Sequence, residues 1–295
     1  FKINSKNQNQ SAYFHMVIGL QFKFIANYEK SIEYYEKALA AYLKSFGENH
    51  PKVAAAYHNL GVSLYQLRDI DKAIEYSEKA LAINLKSVGE DHPKISISYS
   101  ILGTAWSHKG DNAKAIEYSE KALAIDLKSF GENHPSVASA YNTLGLAWLQ
   151  QGQDAKNYKD GKIWKVAIKK SIEYTEKALA IYLKSFGEAY NRVAVSYNNL
   201  GVAYSEKGEL DKAIEYYEKA LAIRLKSFGE NHPKVALTNN NLGLAWSEKG
   251  DDDKAIKYYE KALAINLKSF GEDHPKVARG KRYLSKANKR NEKRR

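Results

Sequence analysis

The chain has 295 residues, no cysteine, one methionine and a formal charge of +12, at a mean hydropathy of −0.57. Disulfide scaffolds, thiolate metal sites and cysteine nucleophiles are excluded, and no apolar run approaches the roughly 18 residues that a membrane helix needs. The charge is local: residues 275–295 hold ten Lys or Arg against Glu292 alone, which leaves the rest of the chain only +3. No secretory leader is recognisable, so a soluble chain of the cytoplasm is expected. The start at Phe1 reads as the beginning of a fragment.

Residues 1–10 read as a lead-in, and the period shows itself in the prolines. Pro51, Pro93 and Pro135 stand 42 residues apart, as do Pro233 and Pro275. Between Pro135 and Pro233 lie two periods plus 14 residues, with Asn191 in the place of the missing proline. An insertion of 14 residues at about 156–169 accounts for the excess. Phe46, Phe130, Phe186, Phe228 and Phe270 share a second position, with Val88 as its sixth member. Self-similarity at a fixed period of this length predicts a solenoid rather than a globule.

In chain order, residues 11–274 divide into six repeats: Ser11–Gly47, Pro51–Gly89, Pro93–Gly131, Pro135–Gly187 with the insertion, Asn191–Gly229 and Pro233–Gly271. Each reads as two helices. In the first, Val53, Ala54, Tyr57, Leu60, Gly61 and Leu64 form an apolar stripe at helical spacing, with Pro51 in the opening turn. Gly110, Gly208 and Gly250 suit the turn, and Asp111 and Asp251 suit the cap that follows. The second helix, from Asp211 to Lys226 in repeat five, carries Glu215 and Lys219 at i, i+4. Glu33/Lys37, Glu75/Lys79, Glu117/Lys121 and Glu173/Lys177 repeat that pair. No segment alternates with period two, so the fold class is all-α. A half-repeat from Pro275 keeps Val277, Ala278 and Leu284 on one face of a strongly basic helix, as a capping helix requires.

Tyr197-Asn198-Asn199-Leu200-Gly201-Val202-Ala203-Tyr204, followed by Gly208, Ala213, Tyr217 and Ala220, resembles the tetratricopeptide pattern. The 42-residue length and the Gly-Glu-Asn/Asp-His-Pro-Lys-Val-Ala junction are similar to the long-repeat class that includes kinesin light chain and bacterial arrays. The resemblance implies a right-handed α-solenoid that binds proteins or peptides. It also implies that first helices line a concave groove, where asparagines resemble a ladder for peptide backbone. The adjacent polar positions before Leu-Gly are His58-Asn59, Asn142-Thr143, Asn198-Asn199 and Asn240-Asn241, so Asn59, Asn142, Asn198, Asn199, Asn240 and Asn241 are the candidate groove residues. A carboxamide offers a peptide both donors and an acceptor. The alternative is that these amides tie neighbouring repeats together. The basic residues of the carboxylate-clamp subclass are absent, their places being taken by Ala55, Val62, Ser139 and Val195.

His50, His92, His134, His232 and His274 recur once per repeat, too far apart to close a ligand set, so no metal and no cofactor are expected. No phosphate loop, nucleophile elbow or paired-carboxylate constellation appears, and an enzyme is not expected. Tyr57, Tyr99, Tyr141 and Tyr197 recur in first helices, and Tyr34, Tyr76, Tyr118, Tyr174, Tyr216 and Tyr258 in second helices, as inter-repeat packing.

Two features are unique. The insertion contains Tyr158 and Trp164 as possible contacts, with a turn at Asp160-Gly161 and the second helix of repeat four beginning early, near Lys162. The basic tail offers Lys289, Arg290, Lys293 and Arg294 as possible anion contacts, against a plain reading as a polar cap. The leading expectation is a non-catalytic scaffold that binds a partner peptide or domain in its groove. The alternatives are anion or nucleic-acid binding through tail and insertion, or a passive spacer or oligomerisation arm of a larger protein.

Overall fold

The computed structural model describes residues 2–25 and 27–294, without the side chains of residues 2–8. Phe1, the first residue of the lead-in, and Arg295, the last of the tail, lie outside the described residues. Among those described there are thirteen α-helices and no strand. They are α1 (Lys2–Phe24), α2 (Tyr28–Phe46), α3 (Pro51–Gln66), α4 (Ile70–Val88), α5 (Pro93–Lys109), α6 (Asn112–Phe130) and α7 (Pro135–Asn157). There follow α8 (Gly161–Phe186), α9 (Asn191–Lys207), α10 (Leu210–Phe228), α11 (Pro233–Lys249), α12 (Asp252–Phe270) and α13 (Pro275–Arg294).

The chain forms two compact units, Phe1–Gln150 and Gln151–Arg295, each a stretch of α-solenoid. In the first, α1 pairs with α2, α3 with α4 and α5 with α6, while α2 packs on α3 and α4 on α5. In the second, α8 packs on α9, α9 pairs with α10, α10 packs on α11, α11 pairs with α12, and α13 covers α12. The copied sequence makes copied cores. Leu60, Leu102 and Leu144 in the first unit, and Leu200 and Leu242 in the second, share one position and are fully buried. Each contributes roughly 1.5–3 kcal/mol by leaving water. Ala38, Ala80, Ala122, Ala178, Ala220 and Ala262 keep the second helices slim where first helices cross them.

Close approach also explains the glycine after that leucine. A Cβ on Gly201 would stand 2.5 Å from the ring of Tyr217, and one on Gly243 would stand 2.5 Å from Tyr259. Turns between paired helices need a left-handed residue: Gly110 has φ 90°, Gly208 85° and Gly250 92°. Arg68 takes the same place in repeat two at φ 68°, where a side chain is strained.

The insertion lengthens both helices of its repeat. α7 has 23 residues where α5 has 17, and α8 has 26 where α6 has 19. Asp160 caps α8, accepting from the amides of Lys162 at 3.1 Å and Ile163 at 2.9 Å. Lys159 turns the chain at φ 60°. α1 begins at Lys2, inside the stretch expected to be a lead-in.

Candidate functional site

The junction histidines are caps. Imidazole Nδ1 of His50, His92, His134, His232 and His274 accepts the amide hydrogen two residues on, at 3.1–3.2 Å. The rings of His50, His134, His232 and His274 also stack on the preceding Phe46, Phe130, Phe228 and Phe270, with centroids 4.1–4.5 Å apart. Neutral Nδ1 satisfies a donor that the start of the helix leaves open. Among the described residues no group of three metal-ligating side chains converges.

The asparagines divide by what they already hold. In the first unit, Asn59 Oδ1 accepts from Lys23 Nζ and its Nδ2 donates to Ala55 O, both at 2.9 Å. The Oδ1 of Asn142 is buried without a partner. In the second unit, Asn241 Nδ2 donates to Asn198 Oδ1 at 3.0 Å, joining the adjacent first helices α9 and α11. Asn198 is buried, so that pair does what the structural alternative expects of it. Asn199 and Asn240, both half-buried, make no hydrogen bond among the described residues. Their amides are held on rigid helices with hydrogen-bonding capacity unspent.

Beneath the asparagines lies a group that sequence reasoning missed. Arg224 on α10 is 4% exposed. Its Nη1 donates to Thr238 Oγ1, to Lys234 O at 3.1 Å and, more weakly, to Asn198 Oδ1 at 3.5 Å. Burial lowers its pKa to about 10. The same position of the second helix holds Tyr42, Asn84, Asp126, Tyr182 and Asn266 in other repeats. Burial pushes the Asp126 carboxyl up, partly offset by the Ser96 hydroxyl. Tyr182 Oη accepts from Arg192 Nη1 at 3.2 Å. The signal was present in the sequence, as one variable position inside a copied stretch.

At the insertion, the lengthened end of α7 docks on α9. Glu206 accepts from Gln153 at 3.1 Å and pairs with Lys156 at 2.8 Å. Trp164, Ile168 and Ile172 line an apolar groove of about 510 Å³ edged by Lys165, Lys169 and Lys207. Tyr158 is 86% exposed in the α7–α8 turn. In the tail, Arg290 Nη2 lies 2.9 Å from Asp252 Oδ1, and Arg294 Nη1 lies 3.1 Å from its Oδ2. Lys289 and Lys293 remain exposed. No described helix is long and apolar enough to cross a membrane.

A family profile described as Tetratricopeptide repeat matches residues 23–86, 63–128, 95–156, 168–226, 206–268 and 234–293. No curated protein matches the sequence. Among solved structures the chain is similar to a kinesin light chain protein of Podosopora anserina with nearly identical TPR-like repeats. That match has 25% identity, covers 75% of this chain and 98% of the other, and has a TM-score of 0.57. It is similar also to BtubC from P. vanneervenii, at 27% identity over 85% and 92% of the two chains, TM-score 0.58. A thermophilic TPR protein of Thermus thermophilus shares the fold at 21% identity, 79% and 99% coverage, and TM-score 0.59.

Proposed function

The chain belongs to the tetratricopeptide repeat family, and from that premise we propose that it is a non-catalytic scaffold holding a partner polypeptide along its first helices. Proteins of this family generally serve as interaction scaffolds. In the second unit the contacts are Asn199, Asn240 and the face of Asn241 that Asn198 leaves free. In the first unit Asn142 stands at the equivalent of Asn198, and Asn59, whose amide is spent on Lys23 and Ala55, contributes through that lysine. The observation that carries this reading is Asn199: a half-buried amide with no hydrogen bond among the described residues, beside an amide pair that fixes α9 against α11. An extended peptide supplies the missing donors and acceptors at no cost in side-chain ordering. Of the four candidate anion contacts in the tail, Arg290 and Arg294 are engaged with Asp252, which favours the groove over the tail.

The test is titration of a partner identified by affinity capture and mass spectrometry against wild type and the Asn199→Ala/Asn240→Ala double variant. Loss of two hydrogen bonds should weaken binding about tenfold or more, with little salt dependence and an unchanged melting midpoint. Charge reversal at Lys289 and Lys293 should leave the affinity unchanged. The reading fails if the tail variant loses the partner while the asparagine variant keeps it.

A further inference from the structure

Five second helices carry a glutamate four residues before a lysine, and in each the two are ion-paired; the Lys219–Glu215 pair is 2.6 Å long. In repeats two, three and five that lysine also lies over two tyrosine rings in contact, stacked in repeats two and five and tilted in repeat three. Tyr57 and Tyr76 have centroids 5.6 Å apart, with Lys79 Nζ 5.7 and 5.4 Å from them. Tyr99 with Tyr118 and Tyr197 with Tyr216 repeat the arrangement. Repeat six breaks it twice. Asn239 stands where the first tyrosine belongs, and Lys257 stands where the glutamate belongs. Tyr258 and Lys261 are retained, with Lys261 Nζ 5.8 Å from the ring centroid. Among the described residues Lys261 has no carboxylate partner.

The missing ring leaves its space behind. In repeat two, Tyr57 packs in the cluster that contains Leu39, Leu43, Val53 and Ile83. The counterparts of those four are Leu221, Leu225, Val235 and Ile265, and they line a cavity of about 310 Å³. Asn239 lines it too. It is 3% exposed, and its Oδ1 is buried without a hydrogen-bond partner. A buried acceptor with no donor is costly, so a group that brings one is favoured there.

We propose that this cavity, between α10 and α12 and floored by α11, is a binding site for a free single-ring hydroxyaryl carboxylate. The ring takes the place of the absent tyrosine against Leu221, Val235 and Ile265. Its hydroxyl donates to Asn239 Oδ1 at the floor. The carboxylate meets the ammonium of Lys261, which lines the cavity from α12. The volume sits at the small end of ligand cavities, which suits one ring. The site uses none of the groove asparagines, so it stands independently of the partner reading.

Titration of the full chain with 4-hydroxyphenylacetate, read by saturation-transfer NMR and calorimetry, tests it. Wild type should bind saturably. Asn239→Tyr installs the residue already present at the same position in four other repeats, so it should keep the melting midpoint while losing at least about tenfold in affinity. Lys261→Gln should weaken 4-hydroxyphenylacetate about tenfold and leave 4-methylphenol unaffected. Phenylacetate, which lacks the hydroxyl, should bind wild type more weakly than the probe. No saturable binding to wild type up to about 10 mM, or equal binding to a folded Asn239→Tyr, overturns the proposal and assigns the cavity to water.

Discussion

Arg290 on the last helix sets a guanidinium nitrogen 2.9 Å from the carboxylate of Asp252, a side chain only 2% exposed. Asp252 opens α12, so its charge is also favoured by the helix N-terminus. Removing a partner of a fully buried charge costs roughly 3–5 kcal/mol, but Arg290 is partly solvated and Arg294 remains close. Arg290→Ala should therefore destabilise the second unit by about 2 kcal/mol in urea unfolding. It should also loosen α13 enough to promote self-association through the apolar face beneath. An unchanged unfolding midpoint with unchanged light scattering would remove the ion pair from any capping role.

Arg68 offers a stabilising change. It holds φ 68° at the turn where Gly110 has 90°, and left-handed backbone costs a side-chain residue about 1–2 kcal/mol. Arg68→Gly relieves that strain at the expense of added chain entropy and of the 3.1 Å contact with His108. The net expectation is a gain of about 0.5 kcal/mol, seen as a higher melting midpoint. A lower midpoint would mean that the His108 contact outweighs the backbone term.

Two histidines, His232 at a helix cap and His58 within α3, predict acid sensitivity. The pKa of His232 is lowered chiefly by burial, with Lys234 and Arg224 adding, and that of His58 chiefly by burial, with Lys23 adding. A depressed folded-state value means that the neutral ring stabilises the fold. That contribution is complete above about pH 6.5 and is lost as pH falls through the lowered values. Protonation also removes the Nδ1 lone pair that accepts from Lys234 N at 3.1 Å. Denaturation midpoints should fall between about pH 7.5 and pH 5, and less steeply in His232→Asn, whose side chain caps without titrating. Identical slopes in the two proteins would rule out the cap as a source.

The period, the helix pairs and the caps at Asp111 and Asp251 were legible because each rests on residue types with one local physical role. Pro51 at a helix start and Gly208 in a turn mean the same thing wherever they occur. The histidine caps were less legible, since His precedes Pro51 in what reads simply as a turn. The turn of the insertion was legible in Asp160-Gly161, where Asp160 caps α8. The asparagine series looked uniform, yet Asn198 and Asn241 spend part of their amides on each other while Asn199 does not. That difference depends on the side-chain register between α9 and α11, which no single helix records. Arg224 was overlooked because a charged residue near the end of a helix ordinarily faces water.

Arg224 also limits how this array can change. Its guanidinium is matched to Lys234 O and Thr238 on the following helix, as Tyr182 is to Arg192, whereas Asp126 faces Ser96 on the preceding helix. Were the second helix of repeat three spliced in place of that of repeat five, the carboxylate of Asp126 would face a carbonyl and a hydroxyl already bonded to it. The copies are alike in sequence, but the position of Arg224, Asp126 and Tyr182 distinguishes one second helix from another by side chains that are buried. Duplication or deletion of one 42-residue unit would preserve the length rule and still leave a mismatched side chain at the seam.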